Sequence, residues 1–267
     1  MINKFACITL DLEPDYASNI SISVYDGWST ERITALLSLL AAYNAPLSVF
    51  IVGKTLSKHG DIIRMVQRYR ADFHIHSYSH NIASSDTIEE IIKSKKAYKD
   101  FFHRNPVGYR APQGKITADG LTRLKTAGFL FDASVFPSIW PNPQFFLHPR
   151  IPCVEKGSGI MELPFATITP MRIIFSLSWV KLLGFSFFST LIKKHGLPQT
   201  IIFNLHLHDL WCLSSYPKLS PFWRFIYGKN KHMGMIFLDK TLALLRESGY
   251  TFITMSQLYQ HTAKRGL

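Results

Sequence analysis

The stretch KFACITLDLEPD, residues 4–15, decides how this chain folds and where its chemistry lies. An apolar run leads directly into three acidic residues, Asp11, Glu13 and Asp15, which predicts a β-strand that ends in a polar cluster. Side chains on a strand repeat their direction every two residues, so Asp11 and Glu13 are predicted to point to the same side. Two carboxylates placed in this way require a cation between them or unequal pKa values.

Outward from this strand, short apolar runs alternate with longer segments that have apolar residues at helical spacing. Strands are predicted at 4–12, 47–53, 72–77, 106–110, 131–134, 200–209 and 250–255, and helices at 29–44, 60–70, 87–104, 117–129 and 235–247. This alternation is typical of βα units and a largely parallel sheet. The polar motifs described below follow the ends of strands, where parallel α/β folds collect ligands.

The composition indicates a chain that folds throughout. Of 267 residues, 47% are hydrophobic and 13% aromatic, which supplies a large core. The length suits one α/β barrel with an insertion, so residues 1–267 are predicted to form a single catalytic domain. An apolar and basic insertion is predicted around 166–199 and a basic aromatic loop around 216–234.

The net charge of +12 predicts an anionic partner, which leaves nucleic acid, an acidic membrane surface and a phosphorylated substrate open. The three cysteines have no CxxC spacing, so a reducing compartment is expected. The N-terminus reaches acidic residues where a signal peptide would still be apolar, and Lys181 divides the most apolar later window, 173–192. We therefore expect a cytoplasmic protein without a transmembrane segment.

Two histidines spaced four apart, His76 and His80, lie in HSYSH directly after a predicted strand. This spacing lets both imidazoles reach one metal ion, although such a pair alone is more often a pair of surface or capping residues. Asp11 and Glu13, at the end of another predicted strand, favour the metal site.

Taken together, the motifs resemble the polysaccharide deacetylase family, also called the NodB-homology group or carbohydrate esterase family 4. Five segments match that family's motifs in order: ITLDLE (8–13), HSYSH (76–80), GYRAPQG (108–114), FDASVFP (131–137) and NLHLHDL (204–210). The resemblance implies an α/β fold, a distorted (β/α) barrel of the NodB type with fewer than eight strands. It also implies hydrolysis of an N-acyl group, acetyl or formyl, from an amino sugar.

The resemblance further implies a divalent metal, zinc above all, and a role for each matching residue. Glu13, His76 and His80 would be the metal ligands and Asp11 the general base. Arg110 would keep Asp11 ionised, His206 would be the general acid, and Asp132 would raise the pKa of His206 and fix its ring. The residues predicted to contact substrate are Tyr109, Pro112, Phe136 and Trp211.

Several alternatives stay open at this point. Glu13 stands where the family usually has Asp, so Asp15 is an alternative third ligand. Strand alternation sends His206 and His208 to the same face, and the acid at Asp209 favours His206. A non-sugar amide or cyclic ureide hydrolase and an inactive glycan-binding protein are alternative functions. A nucleic-acid-binding protein would leave the acids and histidines unexplained.

The apolar stretch 171–193 and the cluster of Trp223, Arg224, Lys229 and Lys231 combine aromatic and cationic side chains, as membrane-surface elements do. We therefore hypothesise peripheral contact with the anionic inner face of the membrane. The substrate would be an amino sugar linked through phosphate to a polyprenyl carrier. An ordinary barrel helix with a solvated basic surface is the competing interpretation.

Overall fold

A computed structural model describes residues 3–16, 25–139 and 146–264 of the chain. Their strands are β1 (Phe5–Leu12), β2 (Leu47–Ile51), β3 (Ala71–Ile75), β4 (Gly108–Tyr109), β5 (Phe131–Asp132), β6 (Cys153–Val154), β7 (Met161–Glu162), β8 (Thr167–Ile168), β9 (Ile173–Ile174), β10 (Thr200–His206) and β11 (Thr251–Phe252). Their helices are α1 (Thr30–Ala42), α2 (Thr55–Lys58), α3 (Gly60–Gln67), α4 (Ile88–Phe102), α5 (Ala118–Thr126), α6 (Leu177–Leu183), α7 (Phe185–His195), α8 (Leu207–Leu210), α9 (Pro221–Gly228), α10 (Gly234–Glu247) and α11 (Met255–Ala263).

The main sheet curls into an incomplete barrel. Its strands follow the order β10-β1-β2-β3-β4-β5-β7-β6, and β11 pairs with β1 beside this path. Within the described ranges, the seven strands from β10 to β7 pair in parallel, and β6 is antiparallel to β7. The amide of Ala166 donates to the carbonyl of Ile202 at 3.2 Å, which joins the segment after β7 to β10. The prediction of a distorted α/β barrel is confirmed, but the predicted count of fewer than eight strands is wrong, because nine strands of the described ranges join this sheet.

Strand β1 is buried along its whole length because both of its faces are covered. Phe5 and Cys7 pack in the cluster that fills the barrel, whereas Ile8 and Leu10 pack in the larger cluster that includes the helices. This alternation continues past Thr9 to Asp11, and it brings that carboxylate to the top of the barrel interior. Cys7 is a buried core residue, as predicted.

Some predicted elements begin or end elsewhere. The predicted strand at 200–209 stops at His206, because residues 207–210 form α8. The predicted strand at 250–255 is reduced to β11, since the hydroxyl of Thr254 caps α11 and the side chain of Gln257 completes the capping box. Of the two caps considered for the first helix, Ser29 accepts a hydrogen bond from Arg32 N at 3.5 Å.

The segment predicted as an insertion, 166–199, contains the β8–β9 hairpin and the consecutive helices α6 and α7. Lys181 lies within α6 and is buried, and its ammonium donates to the carbonyl of His208 at 3.3 Å. No helix in the described ranges is both long and apolar enough to cross a membrane.

Candidate metal and catalytic site

A buried ion pair between Asp11 and Arg110 lies at the end of β1. Arg110 Nη1 donates to Asp11 Oδ1 at 2.5 Å, to Asn204 Oδ1 at 2.9 Å and to Thr9 Oγ1 at 3.1 Å. Asn204 Nδ2 donates to the second carboxylate oxygen of Asp11 at 2.9 Å, and the guanidinium lies 3.7 Å from the ring centroid of Phe50. Burial alone would raise the pKa of Asp11, but the charge of Arg110, helped by nearby histidines, lowers it below its ordinary value. Asp11 is therefore an oriented carboxylate at neutral pH.

Glu13, His76 and His80 converge beside Asp11, and all three are buried. Glu13 Oε2 lies 3.0 Å from His80 Nε2 and 3.8 Å from His76 Nε2. The other nitrogen of each ring has its own partner: His76 Nδ1 lies 2.8 Å from the carbonyl of Arg110, and His80 Nδ1 lies 3.2 Å from Asp15 Oδ2. Asp15 thus contacts the Nδ1 atom of His80, and Glu13 supplies the carboxylate that faces the Nε2 atom.

This donor set fits a divalent metal such as zinc. Zinc in hydrolases takes histidine nitrogens and a carboxylate oxygen and keeps a position for substrate. Ligating imidazoles normally donate their other N–H to a carbonyl or carboxylate, which directs the free nitrogen toward the ion. The Nδ1 partners of His76 and His80 match this arrangement, with both Nε2 atoms directed toward Glu13.

The turn that carries the two histidines has an unusual backbone. Ser77 and His80 adopt φ values of 60° and 62°, a left-handed region that costs non-glycine residues about 1 kcal/mol or more. The turn is held by Ser77 Oγ, which accepts from the amide of His80 at 3.0 Å, and by Glu90 Oε2, which accepts from the amides of Tyr78 and Ser79. These bonds keep His80 in a conformation that aims its ring at Glu13.

His206 faces the Asp11 carboxylate from the end of β10. Its Nε2 lies 3.6 Å from Asp11 Oδ2, and its Nδ1 lies 2.9 Å from Asp209 Oδ2. Asp209 is fixed in turn, because it accepts from the Ser178 hydroxyl at 2.7 Å and from the backbone amide of His206 at 3.0 Å. Burial lowers the pKa of His206, but the negative charges of Glu13 and Asp209 raise it to about 9. His206 therefore carries a proton at neutral pH.

His208 does not face the cavity, contrary to the strand alternation expected for it. Because α8 begins at Leu207, His208 lies on a helix, and its ring is buried between those of His206 and Tyr16 at centroid distances of 4.8 Å and 4.5 Å. Burial lowers the pKa of His208 to about 4. Of the two histidines, His206 is the one placed to donate a proton.

The prediction that Asp132 fixes the ring of His206 is wrong, since Asp209 does so. Asp132 accepts instead from the hydroxyl and the amide of Ser134, at 2.7 Å and 2.8 Å. Strand β5 pairs with β7, which brings Asp132 into register with Glu162. Burial raises the pKa of Asp132 to about 6, although the bonds from Ser134 lower it. Burial and the charge of Asp132 hold the pKa of Glu162 well above its ordinary value.

This acid pair makes stability depend on pH. An acid with a raised pKa in the folded state stabilises the fold at pH values below its unfolded pKa of about 4, and this contribution is lost as pH rises through the folded pKa. Glu162→Gln keeps a donor toward Asp132 without binding a proton, so its Tm relative to the wild type is expected to rise between pH 5 and pH 8. For one titrating proton, the difference in unfolding free energy between variant and wild type can change by at most about 1.4 kcal/mol per pH unit. Calorimetry at four pH values tests this, with exposed Glu247→Gln as control; a pH-independent difference contradicts it.

The candidate site opens into a cavity of about 250 Å³. The polar side chains described above reach the wall of this cavity: Asp11, Glu13, His76, His80, Arg110 and His206. Its apolar wall is formed mainly by Phe136, Phe165, Ile174, Trp179 and Trp223. The site therefore combines a cationic donor, a carboxylate and a cluster whose side chains could hold a metal ion around one apolar cavity.

Of the four predicted substrate contacts, Phe136 lines the cavity and the other three do not. Tyr109 is fully buried on the helix side of β4, because its neighbour Arg110 takes the inward direction, and its hydroxyl donates to the carbonyl of Ser85. Pro112 is buried at the start of a short 3₁₀ turn, and Trp211 packs against the core clusters after α8. Tyr109, Pro112 and Trp211 thus lie outside the lining of this cavity, and their contact with substrate stays a prediction.

Sequence reasoning missed Asn204 and, apart from Phe136, the apolar wall of the cavity, and it gave Asp209 no ring-fixing role. The signal for Asp209 was present, since an acid three residues after His206 forms a capping box at the start of α8. Asn204 shares the inward face of β10 with His206 by alternation. No sequence pattern places Phe165 or Trp179 at the cavity. Phe165 follows β7 and Trp179 lies on α6, and their positions depend on how the chain after β7 packs against the barrel.

Comparison with known proteins agrees with this architecture. Residues 14–131 match the family model of the polysaccharide deacetylases. A peptidoglycan-N-acetylglucosamine deacetylase of Bacillus cereus is 25% identical over 136 residues, which cover 49% of this chain and 64% of the relative. The match thus spans less than two thirds of that relative's length. The predicted resemblance to the polysaccharide deacetylase family is thus confirmed over residues 14–131, which are 118 of the 267 residues of the chain.

Solved structures share the fold at low sequence identity. A Mycobacterium smegmatis protein assigned to the polysaccharide deacetylases has a TM-score of 0.63 at 18% identity, covering 99% of this chain and 92% of that chain. A pseudoenzyme of carbohydrate esterase family 4 from Bacillus anthracis has a TM-score of 0.57 at 10% identity. The match covers 96% of this chain and 66% of the pseudoenzyme chain. Because one of these structures is that of a pseudoenzyme, the fold alone does not decide activity, which has to be argued from the site.

Proposed function

We propose that this protein is a metal-dependent hydrolase that removes an N-acyl group, acetyl or formyl, from an amino sugar. One observation carries the proposal: the Glu13, His76 and His80 cluster and the oppositely charged pair of Asp11 and His206 face one cavity. The peptidoglycan-N-acetylglucosamine deacetylase noted above supports the sugar amide as the bond that is cleaved.

In the proposed reaction, Glu13, His76 and His80 would hold a divalent ion, which would supply a lowered pKa for water and polarisation of the amide carbonyl. Asp11 accepts a proton from water as the new C–O bond forms, and Arg110 keeps that carboxylate ionised and oriented. As the C–N bond breaks, His206 donates its Nε2 proton to the departing amine, and Asp209 holds the ring by Nδ1.

The finer substrate that we propose is an amino sugar linked through phosphate to a polyprenyl carrier, or another precursor of an envelope glycan. The basic and aromatic segments around 166–199 and 216–234 support this choice, because cations attract phosphate and exposed aromatics suit a membrane surface. Action in the cytoplasm, at the inner face of the membrane, is part of the same proposal.

An inactive glycan-binding member is the second candidate, favoured by the likeness to the Bacillus anthracis pseudoenzyme. A cyclic ureide hydrolase is a further alternative within the fold. Both alternatives are distinguished in one assay that compares N-acetyl and N-formyl hexosamines with allantoin-like amides.

Metal content and amide hydrolysis together test the proposed function. The wild type, purified with zinc supplied, is expected to bind about one zinc ion per chain and to release acetate or formate only when metal is bound. His76→Ala with His80→Ala is expected to lose at least about tenfold in zinc affinity, since loss of even an outer partner of a ligand costs 10- to 100-fold. His195→Ala, an exposed residue at the end of α7, is the control. A wild type that binds no zinc contradicts the proposal and favours glycan binding.

A further inference from the structure

An apolar groove runs away from the catalytic cavity between α6 and α9. We call it the α6–α9 groove; it has a volume of about 420 Å³. Its lining residues are Ser178, Trp179, Leu182, Phe222, Trp223, Ile226 and Tyr227. Ser178, Trp179 and Trp223 also line the catalytic cavity, so the two spaces share a wall of two indole rings.

The wall that α9 supplies is not part of the closed core. No residue of α9 is fully buried, and Phe222 and Phe225 are 57% and 62% exposed. The ring of Tyr227 packs 5.1 Å from that of His208 and 5.3 Å from that of Tyr16, and the carbonyl of Arg224 accepts a hydrogen bond from the Tyr216 hydroxyl at 2.7 Å. An exposed aromatic helix attached in this way indicates a binding surface rather than a packing element.

The chain segment that supplies the groove is cationic in sequence. Between Glu162 and Asp239 the sequence contains eight lysine and arginine residues and one acid, Asp209, which is buried. Lys229 Nζ lies 4.9 Å from the ring centroid of Phe225, so an ammonium group lies beside the exposed aromatic face. A ligand that suits both features has a hydrocarbon portion and an anionic group.

We propose that the α6–α9 groove is a substrate subsite that binds a hydrocarbon chain carried by an anionic amino-sugar substrate. This inference rests on the proposed function and extends it: the sugar amide occupies the catalytic cavity while the chain lies along Leu182 and Ile226. Each methylene removed from water contributes about fourfold to binding. The protein therefore prefers an amphiphilic amino sugar to the same sugar without a chain.

The test compares three soluble substrates below their micelle concentrations. They are N-acetylglucosamine 1-phosphate, its decyl phosphodiester, and the N-decanoyl analogue of the 1-phosphate. For the zinc-loaded wild type, kcat/KM for the decyl phosphodiester is expected to exceed that for the chain-free substrate by at least about thirtyfold, mainly through KM. A gain confined to the N-decanoyl substrate overturns the proposal, because the chain would then be the acyl group and not a carrier linked through phosphate.

Two adjacent residues of α6 supply a matched pair of variants. Leu182 lines the groove, whereas Leu183 is an exposed neighbour that does not line it. Leu182→Asn, like Ile226→Asn on the opposite wall, is expected to reduce the ratio of decyl to chain-free kcat/KM by about tenfold, and Leu183→Asn to leave that ratio unchanged. A Tm measurement verifies that each variant is folded.

Different results would contradict the groove proposal and the proposed function. Equal kcat/KM for the chain-free and decyl substrates, with hydrolysis of both, overturns the groove and leaves the function standing. If no substrate is hydrolysed, the function fails, and the groove is tested by titrating decyl phosphate while following the fluorescence of Trp179 and Trp223. Weaker decyl phosphate binding in Leu182→Asn than in Leu183→Asn then supports the groove, and equal binding overturns it.

Discussion

Asp11→Asn is expected to reduce the rate of amide hydrolysis by about 10²- to 10⁴-fold, the usual contribution of a positioned general base. The amide has nearly the same shape as the carboxylate and still accepts a hydrogen bond from Arg110, so the barrel should fold normally. An amide cannot accept a proton from water at neutral pH. The loss should therefore appear in kcat, with the substrate concentration for half-saturation little changed.

Zinc content separates this explanation from a damaged metal site. Because Glu13, His76 and His80 form the metal cluster and Asp11 lies outside it, the variant should bind about as much zinc as the wild type. Asp61→Asn, at an exposed position in α3, is the control for removing a carboxylate. A variant that keeps more than about a third of the wild-type rate would show that another group accepts the proton.

Arg110→Gln is expected to destabilise the fold by about 3–5 kcal/mol, because it leaves the Asp11 carboxylate buried without its cation. The side chains of Arg110 and Asp11 are only 1% and 6% exposed, so water cannot replace the lost partner. Urea unfolding at pH 7 measures the change. Arg123→Gln, which removes an exposed pair with Asp119 at 3.9 Å, is the matched control and should cost about 1 kcal/mol or less.

A double-mutant cycle tests the cause of that loss. When Asp11→Asn is combined with Arg110→Gln, the unpaired charge is gone, so the double variant should be more stable than Arg110→Gln alone. Additive losses would show that the arginine acts mainly through its packing on Phe50, where its guanidinium lies 3.7 Å from the ring centroid.

The groove and the catalytic cavity suggest a common reason for the unusual composition of residues 166–234. In this stretch the chain leaves the regular βα alternation, and the resulting segments supply Trp179 and Trp223 to both spaces. Of the five motifs that resemble those of the family, four lie before residue 166, and the fifth, at 204–210, lies between the two irregular segments.

The limits of prediction are clearest for the acids. The two-residue period of β1 correctly predicted that Asp11 and Glu13 share a face, because alternation is a local property of an extended backbone. The partner of His206 was predicted wrongly. Asp132 lies on β5, which pairs with β4 and β7, whereas Asp209 is three residues from His206 across a helix start.

Sequence alone therefore determined the βα alternation, the inward direction of Asp11 and Glu13, and the histidine pair after β3, since each depends on residues close together in the chain. Only the tertiary structure decided that Asp15 lies behind His80, that Tyr109 faces the helices, and that α6 and α9 form a groove beside the cavity. These features depend on how the sheet curls and how irregular segments pack, and such long-range packing leaves no periodic signal in the sequence.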